Sequence, residues 1–278
     1  MNNIIANDQE LRRYIPNVIN SVKGEPSLYE KLEAYLNDAQ SWAINNIIGL
    51  TTFDVILERQ DNNGVKNIAK KVIAVKAFID AIPALDLILT PNGFGVVSNQ
   101  NVAPAAKERV KSLTEAMQKA LDDALFCLID ELRNYPSWLS GERAQFFAAS
   151  LFHNLEVCSL ADVQGPKWET FCKLRLQAID IENSLAEDYI SPELMDALRW
   201  DSMDDSISAK RGIIINALKI QVLNVIKGES ISSRKMCDCV QIIRSNPTIF
   251  PEWIGSETAK RFSPPVFKND KKKGGYFF

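Results

Sequence analysis

The sequence predicts a mainly α protein: one or more helical bundles carrying one small β-hairpin at about residues 85–99. Three observations predict this class. Apolar residues recur at steps of three and four along each long segment, proline and glycine separate those segments, and one stretch, LDLILTPNGFGVV from Leu85, abandons the helical period. The chain has 278 residues, 46% of them hydrophobic, which suffices for a large core in one domain or in two.

Pro26 opens the first long segment, where Leu28, Leu32, Leu36, Ala39, Ala43 and Ile47 form one stripe that Gly49 closes. A short helix over TTFDVIL and a DNNG loop follow. Val65, Ile68, Val72, Val75, Ile79 and Ile82 then mark a second long helix ending near Pro83. In the hairpin, flanks Asp86–Thr90 and Gly95–Ser98 surround Thr-Pro-Asn-Gly, where Pro91 presets φ and Gly93 suits a left-handed position. Two short strands are marginal alone in water, so they must lie on helices or pair with another chain.

After Pro104, Val110, Leu113, Met117, Leu121, Ala124, Leu128 and Leu132 stripe a helix of about 30 residues, roughly 45 Å long. NYPSWLSGERAQ breaks it, FFAASLF carries a further helix, and SLADVQGP is a linker before Pro166. The second half repeats the order of long, short and long helix. Phe171, Leu174, Ala178, Ile181, Leu185 and Tyr189 stripe the first; Ser191 caps a short one with Pro192 at its first position; the apolar run Ile213–Ile226 reads as buried and closes at Gly228. Shifted by 142 positions, Leu32 falls on Leu174, Asp38 on Asp180 and Ile48 on Ile190, as two related helical halves would require. Chance matches between any two helical stretches are the competing explanation.

Helices around SSRKMCDCVQIIRS and PEWIGSETAKRF precede a tail in which Lys268–Lys273 holds four lysines against one aspartate, followed by Gly-Gly-Tyr-Phe-Phe. Tyr276, Phe277 and Phe278 suit an arm whose aromatic end docks in a groove of its own body or of a neighbour; a frayed terminus is the alternative. The expected organisation is an N-terminal helical domain with the hairpin over 1–155, a C-terminal helical domain over 166–262 and a basic, aromatic tail over 263–278.

The chemistry-bearing residues form no recognisable constellation. A formal charge of −3 and a pI near 5.4 supply no global positive field for nucleic acid or anionic lipid, so no direct nucleic-acid reading is expected. Polar residues interrupt the start, MNNIIANDQELRR, and the run Ile213–Ile226 is too short to span a bilayer, so a cytoplasmic location without membrane attachment is expected. Five cysteines read as reduced thiols, and the single Cys-x-Cys of Cys237 and Cys239, in a chain with one histidine, falls short of a zinc site. His153 lies in an apolar segment without a nucleophile motif nearby. Neither Asp122 with Asp123, Glu182 with Glu187, nor Asp204 with Asp205 has a spacing that selects catalysis or calcium binding. Gly93 and Gly95 lack the later glycine of a dinucleotide fingerprint, and the five tryptophans, spread one per element, read as packing residues. No catalytic residue, metal or cofactor is expected, and the chain does not read as an enzyme.

TPNGFGVV, NVAPAAKERV and the ending KKGGYFF resemble an uncharacterised family of gut-anaerobe genomes, often found in prophage or phage structural regions. YEKLEAYLNDAQSWAINNIIG followed by TTFDVIL is similar to helical head-tail connector proteins of tailed phages, ring-forming subunits that bind neighbours through arms or hairpins. The resemblance implies a non-enzymatic virion assembly protein, a head-tail connector or head-completion subunit, whose partners are copies of itself and the portal and tail proteins. It would be assembled into the virion if phage-encoded and active. Pro91, Asn92, Gly93 and Phe94 at the hairpin tip, with Tyr276, Phe277 and Phe278, would then contact partners. A host protein-binding adaptor and, less favoured, an enzyme acting on a small molecule are the rival expectations.

Overall fold

Capping side chains mark where several of the helices begin. The structure, a computed structural model, describes residues 3–15, 26–60, 63–85, 87–90, 93–96, 106–204 and 206–263. After α1 (Asp8–Leu11), Ser27 and Glu30 form a reciprocal capping box that starts α2 (Leu28–Ala43), which runs without a break into a π turn (Ile44–Ile48). Gly49 leads into α3 (Leu50–Leu57), and the Asn63 side chain caps α4 (Gly64–Ala81). A 3-10 turn (Ile82–Ala84) precedes β1 (Leu87–Thr90) and β2 (Gly93–Val96), which pair antiparallel from Leu87 with Val96 to Thr90 with Gly93.

Next come α5 (Lys107–Leu132), α6 (Pro136–Leu139), α7 (Glu142–Ala148), α8 (Glu156–Leu160) and α9 (Lys167–Leu185), which passes into a second π turn (Ala186–Ile190). Ser191 caps α10 (Pro192–Asp201) and Ser208 caps α11 (Ala209–Ile226); α12 (Ser233–Arg244) and α13 (Glu257–Arg261) follow. The chain is thus mainly α. No described helix is long and apolar enough to cross a membrane.

The chain divides into two compact units, Met1–Arg175 and Leu176–Phe278, with the boundary inside α9. In the first, α4 packs against both α2 and α5 and is buried nearly all round, from Val65 through Ala81. The segment before α2 closes over them. Ile4, Ile5, Leu11 and Ile15 are buried, the Ile4 N–H donates to Gln40 Oε1 at 2.8 Å, and Lys70 pairs with Glu10. Residues 155–166, which the sequence suggests as a linker, carry α8 and bury Val157 and Cys158 in this core. Trp42, Trp138, Phe147, Trp168 and Phe171 form one aromatic cluster with neighbouring centroids 5.6–6.4 Å apart.

In the second unit Leu194, Leu198, Ile214, Leu218, Val222, Met236 and Ile243 make the core. Two expectations need correction here. The run Ile213–Ile226 is buried on one side only, since Ile213 and Ile220 are 54% and 48% exposed, and Trp200 is 44% exposed rather than packed. Apolar content does not say which flank of a helix receives a neighbour. The strand bounds also move, because Thr90 pairs with Gly93 and leaves only Pro91 and Asn92 between the strands, placing Gly93 in β2 rather than in the turn.

Candidate functional site: two locked corners and an inserted arm

A π turn closes hydrogen bonds five residues apart and widens the helix, so the carbonyls at its end lose their usual amide donors where the chain turns away. In the first turn the Gly49 N–H reaches Ile44 O at 2.8 Å, with Gly49 at φ 79° and ψ 148°. Side chains from a distant segment satisfy two other carbonyls. Trp138 Nε1–H donates to Ile47 O at 2.8 Å, and Arg143 donates to Asn45 O at 2.7 Å. What reserves this position for glycine is its backbone, since a Cβ there would only touch Arg143 Cγ at 3.4 Å but would sit on a conformation that side chains rarely adopt.

The second π turn repeats this construction 142 positions on. The Ser191 N–H reaches Ala186 O at 2.8 Å, and Ser191 sits at φ 78° and ψ 145°, a non-glycine residue in a region nearly reserved for glycine. Trp253 Nε1–H donates to Tyr189 O at 3.2 Å, and Thr258 Oγ1–H donates to Glu187 O at 3.3 Å. These partners come from Phe250-Pro-Glu-Trp-Ile-Gly-Ser-Glu-Thr-Ala259, which stands 115 positions after Tyr135-Pro-Ser-Trp-Leu-Ser-Gly-Glu-Arg-Ala144. Each tryptophan packs on the phenylalanine nine residues later: Trp138 on Phe147 at 5.6 Å and 35°, Trp253 on Phe262 at 6.5 Å and 37°. The correspondence extends into the helices. The buried Met236, Cys239, Val240 and Ile243 of α12 match the buried Leu121, Ala124, Leu125 and Leu128 of α5 at the same offset of 115.

Helices α4 and α11 both have 18 residues, and their caps, Asn63 and Ser208, each accept the N–H three residues on, from Lys66 and from Arg211. That pair is 145 positions apart, so between these helices and the matched stripes the offset falls from 145 to 115. The first half therefore holds 30 residues with no counterpart in the second: residues 82–117 stand where the second half has only 227–232. The described residues of this excess form the 3-10 turn, the β1–β2 ladder and the first turns of α5, in which no residue of the helix before Met117 is buried. Measured against residues 227–232, it is an additional arm between matching helices. Gly93 and Phe94 lie in the ladder, opposite Thr90 and Leu89, whereas Pro91, Asn92, Tyr276, Phe277 and Phe278 lie outside the described residues.

Beside the first corner lies an open cleft of about 580 Å³, lined by Ile44, Ile48, Leu50, Thr52, Trp138 and Arg143 among others. Thr52 Oγ1 donates to Ser137 Oγ at 3.3 Å, and Glu142 lies at the edge. Apolar contact with a few hydroxyls and one guanidinium equips such a cleft for binding.

The remaining candidates are apart from this cleft. His153 is buried, with Nε2 3.4 Å from Asn154 Nδ2. Asp122 Oδ1 accepts from the Lys167 N–H at 3.2 Å and from Gln118 at 3.1 Å, capping α9 from α5, and burial pushes its pKa up. Asp123 is exposed. Glu182 is fully buried and pairs with Arg199 Nε at 2.8 Å, whereas Glu187 is exposed, so these two do not form a pair. Asp204 accepts from Ser206, and Asp205 is outside the described residues. Cys239 is buried and Cys237 exposed on α12, while burial pushes the Cys158 thiol up to about 11. Among the described residues no group of three His, Cys, Asp or Glu side chains is placed to hold a metal ion.

A family of unknown function, DUF6712, matches residues 15–148. The match ends on the last residue of α7 and so takes in α2 to α7 with the hairpin strands. No curated protein and no solved structure matches the chain.

Proposed function

We infer that the chain is a non-enzymatic assembly subunit that binds neighbouring chains through the inserted arm, as a phage or prophage head-tail connector or head-completion protein does. The observation that carries this reading is the 30-residue excess of one copy over the other. The second copy forms the same corner and the same helical stripes without an arm, so the arm is not required for a module to fold. Material retained in one copy and dispensable to its fold is material for contact. Paired strands offer backbone donors and acceptors along their edges, which a partner strand can satisfy.

Replacing residues 82–117 with the six residues of 227–232 tests this directly. The shortened chain is expected to keep its helical circular dichroism and its unfolding transition, and to lose self-association and binding to portal and tail proteins in sedimentation. Assembly of the shortened chain at the level of the parent would refute the reading. Assembly by a host factor in place of virion proteins would favour the adaptor alternative.

A further inference from the structure

The second unit carries a charge pattern that the assembly reading leaves unused. From Leu176 to Asp204 the sequence has eight carboxylates, and Arg199 is its one base. Arg199 is consumed internally, by Glu182 at 2.8 Å, Asp196 at 3.0 Å and Asn183 at 2.9 Å, and Arg211 takes up Asp201. Asp180, Glu187, Asp188 and Glu193 are exposed and have no ion pair among the described residues. Two of the carboxylates, Glu187 and Asp196, line a cavity of about 240 Å³ together with the apolar Ala186, Pro192 and Met195, with Asn183, and with Arg199, whose charge Glu182 and Asp196 already take up. This is an acidic cup with an apolar floor.

We propose that the cup binds the chain's own segment 264–278, with the lysines on the acidic rim and an aromatic side chain on the floor. Three observations select this occupant. The segment has four lysines and one aspartate over 268–273, the opposite charge to the cup, followed by Tyr276, Phe277 and Phe278. It begins beside the cup: the Phe262 ring lies 6.2 Å from Tyr189 in the second π turn, and Thr258 donates to Glu187 O. From Ser263 the first lysine is five residues away, a reach of about 17 Å when extended. A short tether raises the local concentration of the segment far above that of any competing peptide. Rim carboxylates exposed to water lose most of their attraction at high salt, so the contact is salt-sensitive.

Limited chymotrypsin digestion of the full chain, with intact-mass readout at Phe267 and Tyr276, tests the contact. In low salt cleavage at these sites is expected to be slow. It should become about tenfold faster in 1 M salt, or with Glu187→Lys and Asp196→Lys together, because cleavage follows the population of the released segment. Adding Lys271→Glu, Lys272→Glu and Lys273→Glu to that double variant should restore protection, which a merely misfolded variant would not show. Equal rates in all three chains would overturn the proposal, and so would protection that grows with protein concentration, which would place the segment on a second copy. The test uses the free chain, so its failure leaves the arm reading untouched.

Discussion

Where the first corner has Gly49, the second has Ser191; where the first is bound by Arg143, the second is bound by Thr258. The backbone is the same in both, within 1° in φ and 3° in ψ, while the side chains that hold it differ in charge and size. The position four residues before each turn behaves likewise. Gln40 and Glu182 correspond at the 142 offset and both are buried; the chain's N-terminal backbone binds the amide, and Arg199 binds the carboxylate. So do the third residues of α4 and α11. Lys66 Nζ donates to Leu57 O and Arg59 O at 3.0 and 2.8 Å, whereas Arg211 grips Glu252 with both carboxylate oxygens at 2.6 and 2.7 Å. A shared bend in the chain is therefore compatible with several chemistries, provided that the exposed carbonyls find donors. The tryptophan is the one donor that the two corners have in common.

If that is so, Trp138→Ala should be the most damaging single change, costing about 3–5 kcal/mol in denaturant unfolding, since it removes a buried ring as well as its N–H donor. Trp253→Ala should cost less, because among the described residues its aromatic neighbour is Phe262, outside the larger cluster. Equal costs would show that packing is not what separates the corners. Glu182→Ala should come next, at about 3 kcal/mol, by leaving a buried guanidinium without its closest partner. Glu182→Leu with Arg199→Met should recover most of that loss; a double variant no better than the single would rule out charge burial as the cause.

A reciprocal exchange at the positive-φ residue sharpens the contrast. Gly49→Ser should destabilise by about 1–2 kcal/mol, while Ser191→Gly should be neutral or stabilising, since relief of a strain of about 1–3 kcal/mol outweighs the few tenths lost by replacing a serine cap with glycine. Two losses of similar size would mean that Ser191 is not strained. The smallest expected effect concerns Asp122, whose counterpart at offset 115 is the exposed Cys237. Burial raises its folded-state pKa, so its contribution is most favourable below the ordinary carboxylate range and is lost as pH rises through the raised value. Asp122→Asn should accordingly gain in Tm over the parent as pH is taken from 3 to 7. A constant difference would contradict that sign.

Much of the architecture was legible because helical stripes report burial directly. Ser191 with Pro192 marks the start of α10, Gly49 the end of the first long segment, and the 142 offset identifies the second π turn with the first. The π turns themselves were not legible: a five-residue widening leaves the apolar stripe nearly in phase, as Ile47 shows by lying on the same stripe as Leu36. The tryptophan motif was present in the sequence at offset 115, yet comparison at the single offset of 142 cannot find a repeat interrupted by an insertion. A tryptophan three residues after an aromatic and directly after Pro-x, followed by a glutamate four residues on, was the signal that could have revealed it. Glu187 and Asp196 were also out of reach, since the cup they share depends on how α10 folds back from the second turn.

The joint between α11 and α12 is the feature with the widest use. The module closes with a six-residue link there, turned at Gly228 with φ 82°, and equally well with 36 residues at the matching place in the first copy. Such a seam is a ready port for engineering: a foreign epitope or a small folded cargo spliced at Gly228 would lengthen a link between two helices that the first half already carries in a longer form.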